Sequence, residues 1–113
     1  MEELTVDQIT ALQKGYRVTG VQDGINTGLS WLMEGSVGRF ANDCIESGIC
    51  MLPEVRHRDY YGNTVPSRND LKPGSKGTLE NSQAFWKRVQ DGDFEVIDAL
   101  ESMFGADEEN EIQ

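Results

Sequence analysis

Apolar residues recur at helical spacing in several stretches of this chain, and the residues that interrupt them mark where each helix stops. Val6, Ile9, Leu12 and Tyr16 fall every three or four residues on one face. Thr5 is placed to cap the first turn while Gln8 reaches back to it, and Leu4 and Ile9 form the two ends of a hydrophobic staple. These signals predict a helix over about Val6 to Tyr16.

Helical spacing continues through residues 21 to 47, first with Ile25, Leu29, Leu32 and Met33, then with Val37, Phe40, Ala41, Cys44 and Ile45. Glycines interrupt it, each costing about 1 kcal/mol relative to Ala inside a helix. Gly35-Ser36 reads as a stop followed by a new N-cap, so two helices are expected. The spacing of Gly24 and Gly28 would admit a close backbone approach. Gly48 suits a helix end with positive φ. Ile49-Cys50-Met51-Leu52, stopped by Pro53, reads as a short strand or a buried extended segment.

Periodicity vanishes from 54 to 79, where Gly62, Pro66, Pro73, Gly74 and Gly77 punctuate the chain. A loop this long is usually functional or unstructured, and Tyr60 and Tyr61 favour function, since aromatics are depleted in segments that stay unfolded. Asn81 or Ser82 is expected to start a helix carrying Ala84, Phe85, Trp86 and Val89. Asp93 caps the next, whose apolar face is Val96, Ile97, Leu100, Met103 and Phe104, while Asp91, Glu95, Asp98 and Glu101 fall on a separate arc. Trp31 and Trp86 are expected to be core anchors. Gly105 closes the helix. The fold class is therefore mainly α: one small domain, 1–105, of four or five short helices with a long irregular loop at 54–79 and at most one short strand, followed by an acidic tail at 106–113. No repeat suggests a solenoid.

Charge is sorted along the same segments. Residues 1–54 hold eight acids against three bases and residues 77–113 ten against two, whereas 55–76 hold five bases against two acids. The net charge of −10 disfavours direct contact with nucleic acid or anionic membrane. Met1-Glu2-Glu3 resembles no secretion signal, and no apolar run approaches the ~20 residues of a membrane span, so a soluble cytoplasmic protein is expected. Cys44 and Cys50, the two cysteines, are expected as free thiols.

Candidate chemistry is sparse. Cys44, Cys50 and His57 lack a fourth ligand and the close pair that structural zinc requires. Asp91, Asp93 and Glu95 alternate like the start of a calcium loop, but Val96 stands where Gly is needed and Ser102 where Glu is needed. No nucleophile elbow, phosphate loop or dinucleotide fingerprint is present, so neither an enzyme nor a cofactor is expected. What remains is recognition. Arg56, Arg58, Tyr60, Tyr61 and Arg68 combine guanidinium groups with aromatics, as protein hot spots do. The carboxylates Asp91, Glu95, Asp98 and Glu101 offer spaced negative charge that could imitate a nucleic-acid backbone. The function expected is a non-enzymatic, acidic protein-binding module, in the style of a viral accessory protein that inhibits or adapts a larger partner through charged surfaces. The alternative is a structural component of a virion or other multi-subunit particle, in which copies of the chain associate.

Overall fold

Thr5 opens the first helix as its sequence predicts. Its hydroxyl accepts from the Gln8 N–H at 3.1 Å, and Gln8 Oε1 accepts from the Thr5 N–H at 2.8 Å. In the computed structural model, which describes residues 3–33 and 35–105, this helix is α1 (Val6–Gly15). Four more follow: α2 (Thr19–Thr27), α3 (Gly35–Ser47), α4 (Leu79–Gln90) and α5 (Phe94–Leu100). The chain is mainly α.

The break between α2 and α3 comes earlier than Gly35. Gly28 takes a left-handed φ of +82°, and a Cβ there would stand 2.6 Å from His57 Nδ1. Only glycine satisfies both demands, so α2 ends at Thr27 and a 3₁₀ turn, Leu29–Trp31, intervenes. Leu29, Leu32 and Met33, expected on a continuous apolar face, are carried out of it and are more than half exposed.

The segment that follows α3 forms no strand. Gly48 ends the helix with φ +97°, as predicted, and residues 49–53 run buried through the middle of the molecule. A buried backbone must be paired, and here side chains and distant loops do the pairing. Ser82 donates to Gly48 O at 2.7 Å, while Gln13 and the Trp86 indole both donate to Ile49 O, at 2.9 and 3.1 Å. The Gln22 amide accepts from Met51 N–H and donates to Met51 O, both at 2.9 Å. Leu52 N–H donates to Gly77 O at 2.9 Å, and Arg68 Nε donates to Leu52 O at 2.8 Å. Around this segment close Ile9, Val18, Ile25, Cys44, Trp86 and Leu100, all buried. Trp86 is the core anchor expected of it; Trp31 is only half-buried, beside the exposed leucines.

The strand pairing lies instead within the expected loop. β1 (His57–Arg58) pairs antiparallel with β2 (Thr64–Val65), His57 opposite Val65 and Arg58 opposite Thr64. α4 also starts earlier than Asn81 or Ser82, because Thr78 supplies the cap by accepting from Asn81 N–H at 3.3 Å. That frees Ser82 for Gly48. Asp93 caps α5 as expected, accepting from Glu95 N–H at 3.0 Å, and a π-helical turn, Glu101–Gly105, continues it. The acidic tail expected at 106–113 lies outside the described residues.

Candidate functional site

The hairpin tip is held rigid by one carboxylate. Asp59 Oδ1 accepts from Tyr61 N–H at 2.9 Å and Asn63 N–H at 2.8 Å, while its backbone N–H donates to Asn63 O at 2.9 Å. Arg58 donates to Gly62 O at 2.8 Å, closing the turn from the other side. Two bonds then fasten the hairpin to the helices: His57 Nε2 with Asn26 O at 3.0 Å, and Tyr60 N–H to Trp31 O at 3.0 Å. Tyr60 and Tyr61 stack edge to face at 5.2 Å and are 73% and 83% exposed. A fixed backbone presents them to solvent.

Beside them lie two adjoining cavities. One, of about 430 Å³, is lined by α2, the 3₁₀ turn and α3, including Gly20, Leu29, Met33 and Phe40. The other, of about 350 Å³, runs from Leu32 and Met33 to Asp59, Tyr60 and Tyr61. Ser30 and Met33 belong to both, so the two form one trough. Of the nine exposed large hydrophobic side chains among the described residues, six line this trough: Leu29, Leu32, Met33, Phe40, Tyr60 and Tyr61. Scattered exposed apolar residues need no explanation, but their convergence on one concave surface makes the trough the candidate site.

The charged residues expected to recognise a partner are arranged differently. Arg56 holds Asp70 through two bonds, at 2.8 and 3.2 Å. Arg58 is engaged with its own turn. Arg68, expected on the contact surface, is 7% exposed and binds Leu52 O and, at 3.1 Å, Asn26 Oδ1. Burial lowers the pKa of its guanidinium, with Glu54 opposing the shift. It is a structural residue, because the buried backbone at Leu52 needs a donor. Asp91 pairs with Lys87 at 3.1 Å, and Glu95 lies 3.8 Å from Arg88, which Asp93 also holds. Asp98 and Glu101 are exposed and have no ion pair among the described residues. The acidic arc is thus solvent-facing but half neutralised from its own helices, and the basic loop is largely consumed internally.

The Arg56–Asp70 pair carries a pH signature. The Arg56 hydrogen bond, then the Ser67 N–H, hold the Asp70 carboxyl at about 2 instead of 3.8. A depressed carboxyl contributes stability that is present above its unfolded value and lost as pH falls through the folded one. Urea midpoints measured between about pH 4 and 2 should therefore fall more steeply for the wild type than for Asp70→Asn. Parallel curves would show that the pair contributes nothing.

Cys44 and Cys50 are buried free thiols; a hydrogen bond to Cys44 and then burial push the Cys50 thiol far up, away from the reactive thiolate. His57 faces Asn26 rather than either sulfur. Among the described residues no group of three His, Cys, Asp or Glu side chains could hold a metal ion, and no helix is long and apolar enough to cross a membrane.

Sequence reading misses Leu29, Leu32, Met33 and Phe40 as site residues because their helical spacing looks like a core stripe. Gly28 is the signal that could have found them, since a left-handed residue there rotates everything after it off the face of α2. No protein-family model matches the chain, and neither a curated protein nor a solved structure matches it.

Proposed function

We propose that this chain is a non-enzymatic protein-binding module that recognises its partner through the trough and the Tyr60–Tyr61 tip, and so inhibits or adapts that partner. The carrying observation is the convergence of six exposed apolar side chains on one concave surface of a protein whose net charge is −10. Aromatic side chains on a fixed frame supply contact area at small entropic cost, and methionine adds an adaptable apolar surface. Charge is left to steering and selectivity.

A photo-crosslinking side chain placed at Met33 or Tyr61 should capture a partner from native lysate, whereas the same group at Glu95 or Asp98 should capture far less. Capture through the acidic positions alone would reject the trough. Changing Leu32 and Met33 to Ser should reduce binding at least about tenfold, as hot-spot losses do. Stability should move by no more than about 0.5 kcal/mol per site, because both side chains are exposed. If the captured protein is the chain itself, and sedimentation shows an oligomer that the same serines dissociate, the reading becomes that of an assembly component.

A further inference from the structure

We propose that the hairpin carries a second site, apart from the trough, that holds a phosphate monoester. Its cavity, of about 410 Å³, is lined by Arg56, His57, Arg58 and Thr64, none of which lines the trough. Strand pairing brings two of them together. Arg58 stands opposite Thr64 in the ladder, and directly opposite residues project from the same face of a sheet. His57, its neighbour in β1, projects from the other face, where Nε2 meets Asn26 O at 3.0 Å and the ring lies against Gly28. That ring anchors the hairpin, so the donors left for a ligand are those of Arg56, Arg58 and Thr64.

Internal bonds orient both arginines without exhausting them. A guanidinium carries five N–H groups, arranged so that two of its edges each offer a parallel pair. Asp70 takes the Nε and Nη2 edge of Arg56, at 2.8 and 3.2 Å, which leaves the edge formed by Nη1 and Nη2. Gly62 O takes Nη1 of Arg58 at 2.8 Å, which leaves the edge formed by Nε and Nη2. The Thr64 hydroxyl is exposed and makes no hydrogen bond among the described residues.

Local charge sets the sign of the ligand. Segment 55–76 holds five bases against two acids, and both acids are engaged. Asp59 accepts from two N–H groups of its own turn, and Asp70 accepts from Arg56 and, at 2.9 Å, from Ser67 N–H. Arg58 has no carboxylate partner among the described residues. Exposed charges farther off than about 8 Å are largely screened at physiological ionic strength, so the acidity of the rest of the chain weighs little here. Oxygen count then selects the class of anion. A carboxylate or a phosphodiester has two unesterified oxygens, which one guanidinium edge satisfies. A phosphate monoester has three and approaches two negative charges near neutral pH, so it can engage both free edges and the hydroxyl together. A phosphorylated side chain or free phosphate is thereby favoured over a nucleic-acid backbone.

The test follows proton–nitrogen correlation spectra of the full chain, arginine Nε–H groups included, during titration with four probes: inorganic phosphate, a phosphoserine peptide, dimethyl phosphate and acetate. The first two should give saturable shifts centred on Arg56, Arg58 and Thr64, at least about tenfold tighter than either of the last two. Tighter binding of the phosphopeptide than of inorganic phosphate would identify a phosphorylated side chain as the source, and equal binding the free anion. Arg58→Lys keeps the charge but loses the paired edge, and should cost at least about fivefold in affinity. Thr64→Val keeps the strand and should cost a few-fold; the spectra report whether either variant has lost its fold. Changing Leu32 and Met33 to Ser should leave phosphate binding unaltered, so this site and the trough stand or fall separately. Shifts that never saturate, an equal response to acetate or dimethyl phosphate, or indifference to both Arg58→Lys and Thr64→Val would overturn the inference.

Discussion

Replacing Gln22 by Leu is expected to destabilise the protein by about 2–5 kcal/mol, a large share of what a domain of this size possesses. The loss is not that of a side-chain contact alone. Gln22 is buried, and its amide satisfies both the N–H and the C=O of Met51, itself 1% exposed. Leucine has similar bulk but no polar atoms, so two backbone groups would be left dry and unpaired, each at about 1–3 kcal/mol. Gln13 would also lose an acceptor, since its Nε2 donates to Gln22 Oε1 at 3.0 Å. Urea unfolding should show a lower midpoint with little change in slope. A midpoint within experimental error of wild type would mean that the backbone at Met51 finds other partners. Gln22 also donates to Asn26 Oδ1 at 3.0 Å, the oxygen that accepts from Arg68. Gln22→Leu and Arg68→Met should therefore couple in a double-mutant cycle by about 0.5–3 kcal/mol, although 46 positions separate them in sequence.

Gly77→Ala is expected to cost a further large amount, about 2–4 kcal/mol, from two sources that act together. Gly77 has φ +96°, a left-handed conformation that costs an L residue about 1–2 kcal/mol. Its Cβ would also stand 2.6 Å from Leu52 Cδ1 and 3.3 Å from Ile45 Cγ2, so the core must shift to admit one methyl group. Displacement there pulls on the bond from Leu52 N–H to Gly77 O. Gly74→Ala isolates the backbone contribution, because Gly74 has φ +93° but open space around the Cβ position. Thermal unfolding should rank wild type above Gly74→Ala above Gly77→Ala. Equal losses at the two positions would show that packing against Leu52 adds nothing.

Both effects arise at the segment where sequence reasoning is weakest. Ile49 to Leu52 presents four consecutive apolar residues, and such a run has no period to read. Whether it pairs as a strand depends on what lies beside it, and here its neighbours are side chains of Gln13, Gln22, Arg68, Ser82 and Trp86. Local pattern could not show that these polar residues point inward, since Gln13 and Gln22 each sit within an otherwise ordinary amphipathic helix. Arg68 was misread for the same reason. In sequence it belongs to a basic, turn-rich stretch, and only the folded chain reveals a buried carbonyl at Leu52 that needs a charged donor.

The trough was hidden by a different failure. Leu29, Leu32 and Met33 keep helical spacing with Ile25, so a face read from sequence continues through them. Gly28 turns the chain left-handed in the middle, and the spacing loses its meaning there. Tyr60 and Tyr61 were legible as exposed aromatics, but their role beside Trp31 depends on the hydrogen bond that docks the hairpin against the 3₁₀ turn.

Sequence by itself determined the mainly α character, the capping box at Thr5 and Gln8, the Asp93 cap and the left-handed stop at Gly48, because these depend on bonds reaching no more than about four residues along the chain. Tertiary structure alone decided which polar residues are buried, which apolar residues are exposed, and that six of the exposed ones converge on one trough. Those outcomes depend on pairing groups that lie up to dozens of residues apart, such as Gln22 with Met51 and Trp86 with Ile49, and the demand that a buried backbone be satisfied acts only once the chain has closed around it.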